Sequence, residues 1–276
     1  SSERLQRLSR AMQRLVDDQH LAGITTMVAR HGTIAHFETF GYRDIETSDV
    51  MSHDAIFRIY SMSKPITGVA LMMLYEEGKF RLSDPVELYI PELKDLLVAA
   101  GEGPNGLVLE PADHPMTIRE LMSHTAGLTY GLFSQSQVDT MYLEKNVLAF
   151  DGTLQDMINR LAELPLRQQP GSKWHYSVAV DVQGYLVEVL SGQRFDRFLE
   201  ERLFGPLGMT DTGFYVPPEE SDRLAQIYSY DDDRRLTPPA QFEGARLGAL
   251  ELNTDSVITQ YLEPPTFFSG GGGMVS

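Results

Sequence analysis

Leu5, Leu8, Met12, Leu15 and Val16 recur at three- and four-residue intervals, which predicts an amphipathic opening helix. Ala22 to Arg30, with Ile24, Met27 and Val28 apolar, reads as a strand; His31 and Gly32 turn it into a second strand, Thr33 to Phe40. Phe57 to Tyr60 is a short β-prone run. It leads into a helix predicted from Ser61 to about Glu77, with Ile66, Val69, Ala70, Met73 and Leu74 on one face. Leu71 and Met72 make the opposite face apolar too, so the pattern predicts burial on most sides. Pro65 falls in the first turn, where its missing N–H costs least, and Gly78 suits the end. Helix, hairpin and buried helix in that order suggest a sheet with helices packed on it.

Further along, Leu82 to Val86 and Tyr89 to Pro91 read as irregular, and Gly101 to Gly106 as an exposed loop. Thr117 and Glu120 form a capping-box pattern for a helix that ends near His124. A helix is predicted over Leu154 to Leu164. Pro170, Gly171, Ser172 and Lys173 then make a turn that delivers Trp174 to Val178. Val182, Tyr185, Leu186 and Val189 mark the next helix, closed by Gly192, and another spans Phe195 to Leu203. Leu224 to Tyr230 reads as a strand, Asp231 to Arg235 as a solvated hairpin tip, and the Pro-rich segments beyond as loops. The glycines Gly270 to Gly273 resemble a phosphate loop, but no Lys-Ser or Lys-Thr follows, so they read as a flexible turn.

Composition narrows the partners. With 276 residues the chain can bury a sizeable core, as one large domain or two lobes. The net charge of −16 argues against nucleic acid or an anionic membrane. No cysteine is present, which excludes disulfides, thiol catalysis and cysteine-ligated metals. No apolar run reaches the length of a membrane span. The chain starts at Ser1 without an initiator Met or a signal sequence, so the expectation is a processed or trimmed cytoplasmic protein.

Candidate chemistry begins at Ser61-Met62-Ser63-Lys64. Residues three apart on a helical turn are neighbours, so the Ser61 hydroxyl and the Lys64 amine can meet. A hydroxyl is a weak nucleophile until a base takes its proton, and an amine in apolar surroundings can be that base. The amides of a helix start favour a developing oxyanion beside Ser61. The same four residues also occur by chance at helix starts, so they need partners. His124, at a helix end, reads as a structural hydrogen-bonder before a base. Tyr130 and Phe133 are either core aromatics or the wall of an acyl pocket. Tyr176 is either a surface aromatic or a phenol aimed into a cleft, and Trp174 and His175 read first as packing residues. No Gly-x-Ser-x-Gly elbow and no His-Glu-x-x-His occur, and the seven histidines are scattered, so metal hydrolysis is not expected.

Ser61-x-x-Lys64, Thr117 to Leu128, Pro170-Gly171 with Tyr176-Ser177, Pro206 to Phe214 and the closing Gly-rich run together resemble one group. It is the class C β-lactamase and family VIII carboxylesterase group, within the superfamily of serine β-lactamases and penicillin-binding proteins. The resemblance spans nearly the whole chain. It implies an α+β fold of the β-lactamase/DD-peptidase type: an antiparallel sheet flanked by helices, with an inserted, mostly helical region. On this chain those parts would be 1–80, with the nucleophile helix; 81–215, helical and carrying the Tyr motif; and 216–276, back in the α/β part.

The resemblance also assigns roles. Ser61 would be the acylated nucleophile and supply an oxyanion amide, Lys64 its partner and Tyr176 the phenol that relays protons. With Val178 from the motif, the aromatic candidates Tyr130, Phe133 and Trp174 read from the residues themselves complete the expected substrate lining. Val178 stands where β-lactamases of the group carry the Asn of Tyr-x-Asn, which favours small ester substrates over lactams. The implied activity is hydrolysis of short-chain carboxylic esters without cofactor or metal. A β-lactamase, a D-amino-acid peptidase, an acyltransferase and a penicillin-binding sensor that does not turn over stand as alternatives. The group's later Lys-Thr-Gly or Trp-Gly-Gly strand does not occur here, so a further C-terminal segment of the same protein is expected.

Overall fold

The computed structural model describes residues 1–103, 106–231, 233–238, 246–247, 250–251 and 261–276, those at 246–247 and 250–251 by backbone alone. They gather into two compact units. One is built from Ser1–Arg58 with the stretch that begins at Val216, the other from Ile59–Tyr215 with Pro264–Ser276.

In the first unit, β1 (Gly23–Arg30) and β2 (Thr33–Asp44) form an antiparallel hairpin. His31 and Gly32 turn the chain with φ of 50° and 74°. Two left-handed residues in succession give a turn whose twist matches that of the strands. β3 (Asp49–Val50) returns along β2, in the order β1-β2-β3. α1 (Ser2–Asp17) turns the half-buried face of Leu5, Leu8, Met12, Leu15 and Val16 onto the hairpin. The approach is close at Gly41, where a Cβ would lie 2.4 Å from the Ala22 carbonyl oxygen and 2.8 Å from Val16.

Two strand expectations are corrected here. Phe57 to Tyr60 forms no strand: Ile56 makes one parallel bridge with Leu224, and Tyr60 already opens a 3-10 turn. Of Leu224 to Tyr230 only Ser229–Tyr230 (β6) is a strand, paired with β7 (Leu236–Thr237) across the expected tip. The hydrogen-bonding groups of Leu224 and Ala225 are used elsewhere, since the Ala225 carbonyl accepts from Arg58 at 2.6 Å. The Pro-rich stretch expected after Thr237 lies, from Pro239 to Ala245, outside the described residues.

The second unit carries the large core. α2 (Ser63–Glu76), α3 (Ile118–Met122), α4 (Gln137–Glu144), α5 (Leu154–Leu161), α6 (Ala179–Ser191) and α7 (Phe195–Leu199) follow in chain order. Between α2 and α3 the hairpin β4 (Leu97–Gly103) and β5 (Gly106–Pro111) takes up Gly101 to Gly103 and Gly106 of the loop expected there, while 104–105 lie outside the described residues. The capping box at α3 is formed: Thr117 Oγ accepts from the Glu120 amide, and the Glu120 carboxylate from that of Thr117. α6 is the central helix, with Ala179 to Gly184, Leu186 and Val187 all buried, and it ends on Gly192 in the left-handed conformation. After α7 the chain continues as a wider π turn over Glu200–Phe204.

α2 is buried along one face only. Ser63, Thr67, Ala70, Leu71 and Leu74 point inward, and Val69 is exposed. The apolar pattern predicts burial on most sides; Ala70, Leu71 and Leu74 are buried as expected, but two hydroxyls complete the inward face and Val69 is left outside it. Helices and antiparallel strands thus make an α+β arrangement. No helix among the described residues is long and apolar enough to cross a membrane.

Candidate active site

Ser61 sits in the 3-10 turn Tyr60–Met62, one turn ahead of α2 rather than inside it. Tyr60 enters that turn with φ of 42°, an uncommon backbone for a bulky residue. Lys64, the second residue of α2, is half-buried, and its Nζ donates to Ser61 Oγ at 3.1 Å. The three-residue spacing therefore does bring amine and hydroxyl together.

Tyr176 arrives from 115 residues away, and its hydroxyl donates to the same Ser61 Oγ at 2.8 Å. Its placement follows from two segments that run side by side. The Arg167, Gly171 and His175 amides donate to the carbonyls of Gly127, Thr125 and His124 at 2.7, 2.8 and 2.8 Å. Val178, two residues after Tyr176, then caps α6. Ser61 Oγ is thus shared by an amine and a phenol. Whichever of the two has given up its proton can accept the one on Ser61.

Lys64 is held from several sides. Its Nζ donates to the Gly271 carbonyl at 2.5 Å and lies 4.6 Å from the centre of the Tyr176 ring and 5.5 Å from that of Tyr130. The closing glycines are therefore not the flexible turn expected from sequence. Thr67 Oγ donates to the Gly270 carbonyl at 2.8 Å, and the Met274 amide donates to Ser63 Oγ at 3.2 Å. The inward hydroxyls of α2 are the clasp for this segment. Neither these contacts nor Asp181, beneath Gly271, was legible beforehand. The available signal was polar residues at inward positions of two apolar helices.

The aromatic candidates gather around Tyr176. Tyr130, Phe133 and Trp174 lie 5.3, 5.8 and 6.2 Å from its ring centre, with Trp174 stacked and Phe133 edge-on to Tyr130. Phe133 and Trp174 are 57% and 65% exposed and form an open rim. Burial first, then the Asp181 carboxylate, push the Tyr130 phenol far above its usual range, so it keeps its proton. Val178 does not join this wall. It is 0% exposed, because the N-cap geometry of α6 turns it into the core.

His124 bonds Ser177 Oγ through Nδ1 at 3.1 Å. Burial, then the neighbouring Lys64, hold its pKa down at about 4, so the ring is neutral near pH 7. His175 belongs to a buried network. Thr129 Oγ donates to Asp139 Oδ1 at 2.5 Å, so the 3.0 Å contact with His175 Nε2 has the imidazole as donor. Its Nδ1 then accepts from Arg167 at 3.4 Å. Asp139 also accepts from the hydroxyls of Ser134 and Ser136. The Gly131 amide donates to Thr129 Oγ, which ties the loop of Tyr130 and Phe133 to this carboxylate.

Burial opposes ionisation of Asp139, but the hydroxyls of Ser134, Thr129 and Ser136 outweigh it and bring the pKa from 3.8 to about 2. A carboxylate with a lower pKa folded than unfolded adds stability above the unfolded value and loses it as pH falls through the folded one. The Asp139 contribution is therefore complete above about pH 4 and vanishes toward about pH 2. Thermal melts between these limits should show Asp139→Asn with a flatter acid limb than the parent. Equal slopes would contradict this account. No cluster of three or more His, Asp or Glu suited to a metal occurs among the described residues.

Comparison with known proteins gives the family. A family model described as Beta-lactamase matches residues 8–276. Protein Rv1367c of Mycobacterium tuberculosis is 34% identical over 267 residues, covering 96% of this chain and 62% of the relative. Esterase EstB of Burkholderia gladioli is 32% identical over 273 residues, covering 97% of this chain and 66% of the relative. The chain thus spans just under two thirds of these curated relatives. Among solved structures, EstCE1, described as a hydrolase with promiscuous acyltransferase activity, superposes with a TM-score of 0.82. It is 29% identical, and the match covers 99% of this chain and 68% of that one.

Proposed function

The chain belongs to the β-lactamase family, and from that premise we propose that it is part of a serine hydrolase that cleaves short-chain carboxylic esters through an acyl-enzyme on Ser61. One observation carries the reading: Ser61 Oγ lies 3.1 Å from Lys64 Nζ and 2.8 Å from Tyr176 Oη. The likeness to EstB and EstCE1, an esterase and a hydrolase by name, supports the ester class.

Ser61 Oγ attacks the ester carbonyl carbon as its proton passes to the Lys64–Tyr176 pair. The tetrahedral oxyanion faces the Ser61 amide. Collapse breaks the bond to the alcohol, which leaves with the proton the pair had taken. A water then attacks the acyl-enzyme, gives a proton to the same pair, and the proton returns to Ser61 as the acid departs. Tyr130, Phe133 and Trp174 flank the acyl group.

The test is steady-state release of p-nitrophenol from its butyrate ester, with intact mass of protein quenched during turnover. The reading expects sustained turnover, a transient butyryl adduct, and loss of both in Ser61→Ala. A single burst that leaves a stable adduct would make the protein a sensor. Fast hydrolysis of nitrocefin with no ester turnover would make it a β-lactamase. EstCE1's described acyltransferase activity favours a second outcome of the same intermediate, in which an added alcohol replaces water.

A further inference from the structure

Asp181 is 1% exposed, in the first turn of α6, and takes no direct part in the chemistry proposed above. A carboxyl group in such surroundings is costly unless something there uses it. Its Oδ1 accepts from the Ser269 hydroxyl at 2.5 Å and from the Gly271 amide at 3.0 Å. The carbonyl of that same Gly271 takes the Lys64 ammonium or amine at 2.5 Å.

The seat admits only glycine. A Cβ on Gly271 would lie 2.5 Å from Asp181 Oδ2 and 2.9 Å from the Tyr130 hydroxyl. A Cβ on Gly270 would lie 2.9 Å from both Thr67 Oγ and the Val180 carbonyl oxygen. Oδ2 itself has no hydrogen-bond partner among the described residues, so Oδ1 makes both hydrogen bonds of the carboxyl group. Burial pushes the carboxyl pKa up, against the opposing pull of the Ser269 and Gly271 hydrogen bonds and of Lys64.

Building on the Ser61 reading, we infer that Asp181 is a positioning residue that fixes the Lys64 amine through the Gly271 peptide. The same helix start then sets two things at once. Tyr176 lies five residues before Asp181, on the segment that leads into α6, so the phenol sits just ahead of the helix start and the amine is held to that start through Gly271. Both proton carriers are thereby tied to the start of α6.

The experiment uses the labelling rate of Ser61 by a fluorophosphonate, followed by intact mass, beside kcat and KM on p-nitrophenyl butyrate. Asp181→Ala should lower both the labelling rate and kcat about 10–100-fold with KM within about threefold, since misplacing a catalytic group by about 1 Å costs this much. Asp181→Asn keeps an acceptor oxygen for both donors and should restore activity to within about fivefold of the parent. Gly271→Ala should fall like Asp181→Ala. The two together should lose less than the product of the single effects, because removing the carboxylate frees the space the methyl needs.

Parent-like labelling and kcat in Asp181→Ala would overturn the inference. So would an Asp181→Asn as slow as Asp181→Ala, which would assign the effect to charge. If Asp181→Ala does not fold, Ser269→Ala decides: removing one of the two donors should slow labelling about threefold or more, and no change would refute the scheme. If Ser61 of the parent is never labelled, it is the nucleophile reading that fails, a result distinct from equal labelling of parent and variant.

Discussion

Replacing Tyr176 with Phe lowers kcat on p-nitrophenyl butyrate by about 10²–10⁴-fold, the usual worth of a positioned proton carrier, and leaves the fold intact. The substitution deletes one oxygen. The ring contacts with Trp174, Phe133 and Tyr130 persist, so packing is conserved while the 2.8 Å link to Ser61 is lost. Lys64→Ala should fall at least as far, since it also vacates the Gly271 carbonyl. The double variant should be little worse than either single one, because groups that share one proton act as a unit. Circular dichroism melts beside steady-state kinetics make the check. A loss under tenfold in both single variants would mean that the proton travels another way.

Phe195→Ala carries the largest expected loss of stability, about 3–5 kcal/mol. Phe195 is fully buried, sits edge-on to Phe214 at 5.7 Å and presses against Gly184 of α6. The hole cannot close easily, because the Phe195 amide is tied to Glu188 at 2.8 Å and Phe214 is in turn packed on Phe268 at 5.2 Å. Phe268 opens the segment that holds Lys64, so loss of packing should reach the site as well. Unfolding in urea with a two-state fit measures the first effect and kcat of the folded variant the second. A loss below about 1 kcal/mol would show that the core repacks there.

What could be read from the chain alone depended on how local each signal was. The Ser61–Lys64 spacing, the Thr117 capping box and the αL glycine at 192 are short-range rules, and each is met in the structure. The hairpin at residues 97–111 was missed because its glycines looked like loop residues, while pairing across the strands supplies what the side chains do not. The apolar period of α2 finds Ala70, Leu71 and Leu74 but not Ser63 and Thr67, which are buried for their hydrogen bonds, and no hydrophobic period registers those. Val178 owes its expected place at the substrate to the resemblance to Tyr-x-Asn, yet side-chain direction at a helix cap is set by backbone geometry. The Asp181–Gly271–Lys64 chain joins positions 90 and 207 residues apart, and such contacts leave no trace in local pattern.

Trp174 is the sole indole of the chain, and it stacks beside Tyr176 on the open rim, with ring centres 6.2 Å apart. All of the tryptophan emission of these residues therefore originates at the rim of the candidate site. Its colour and intensity report what rests against that phenol, so occupancy can be followed by light without any attached dye.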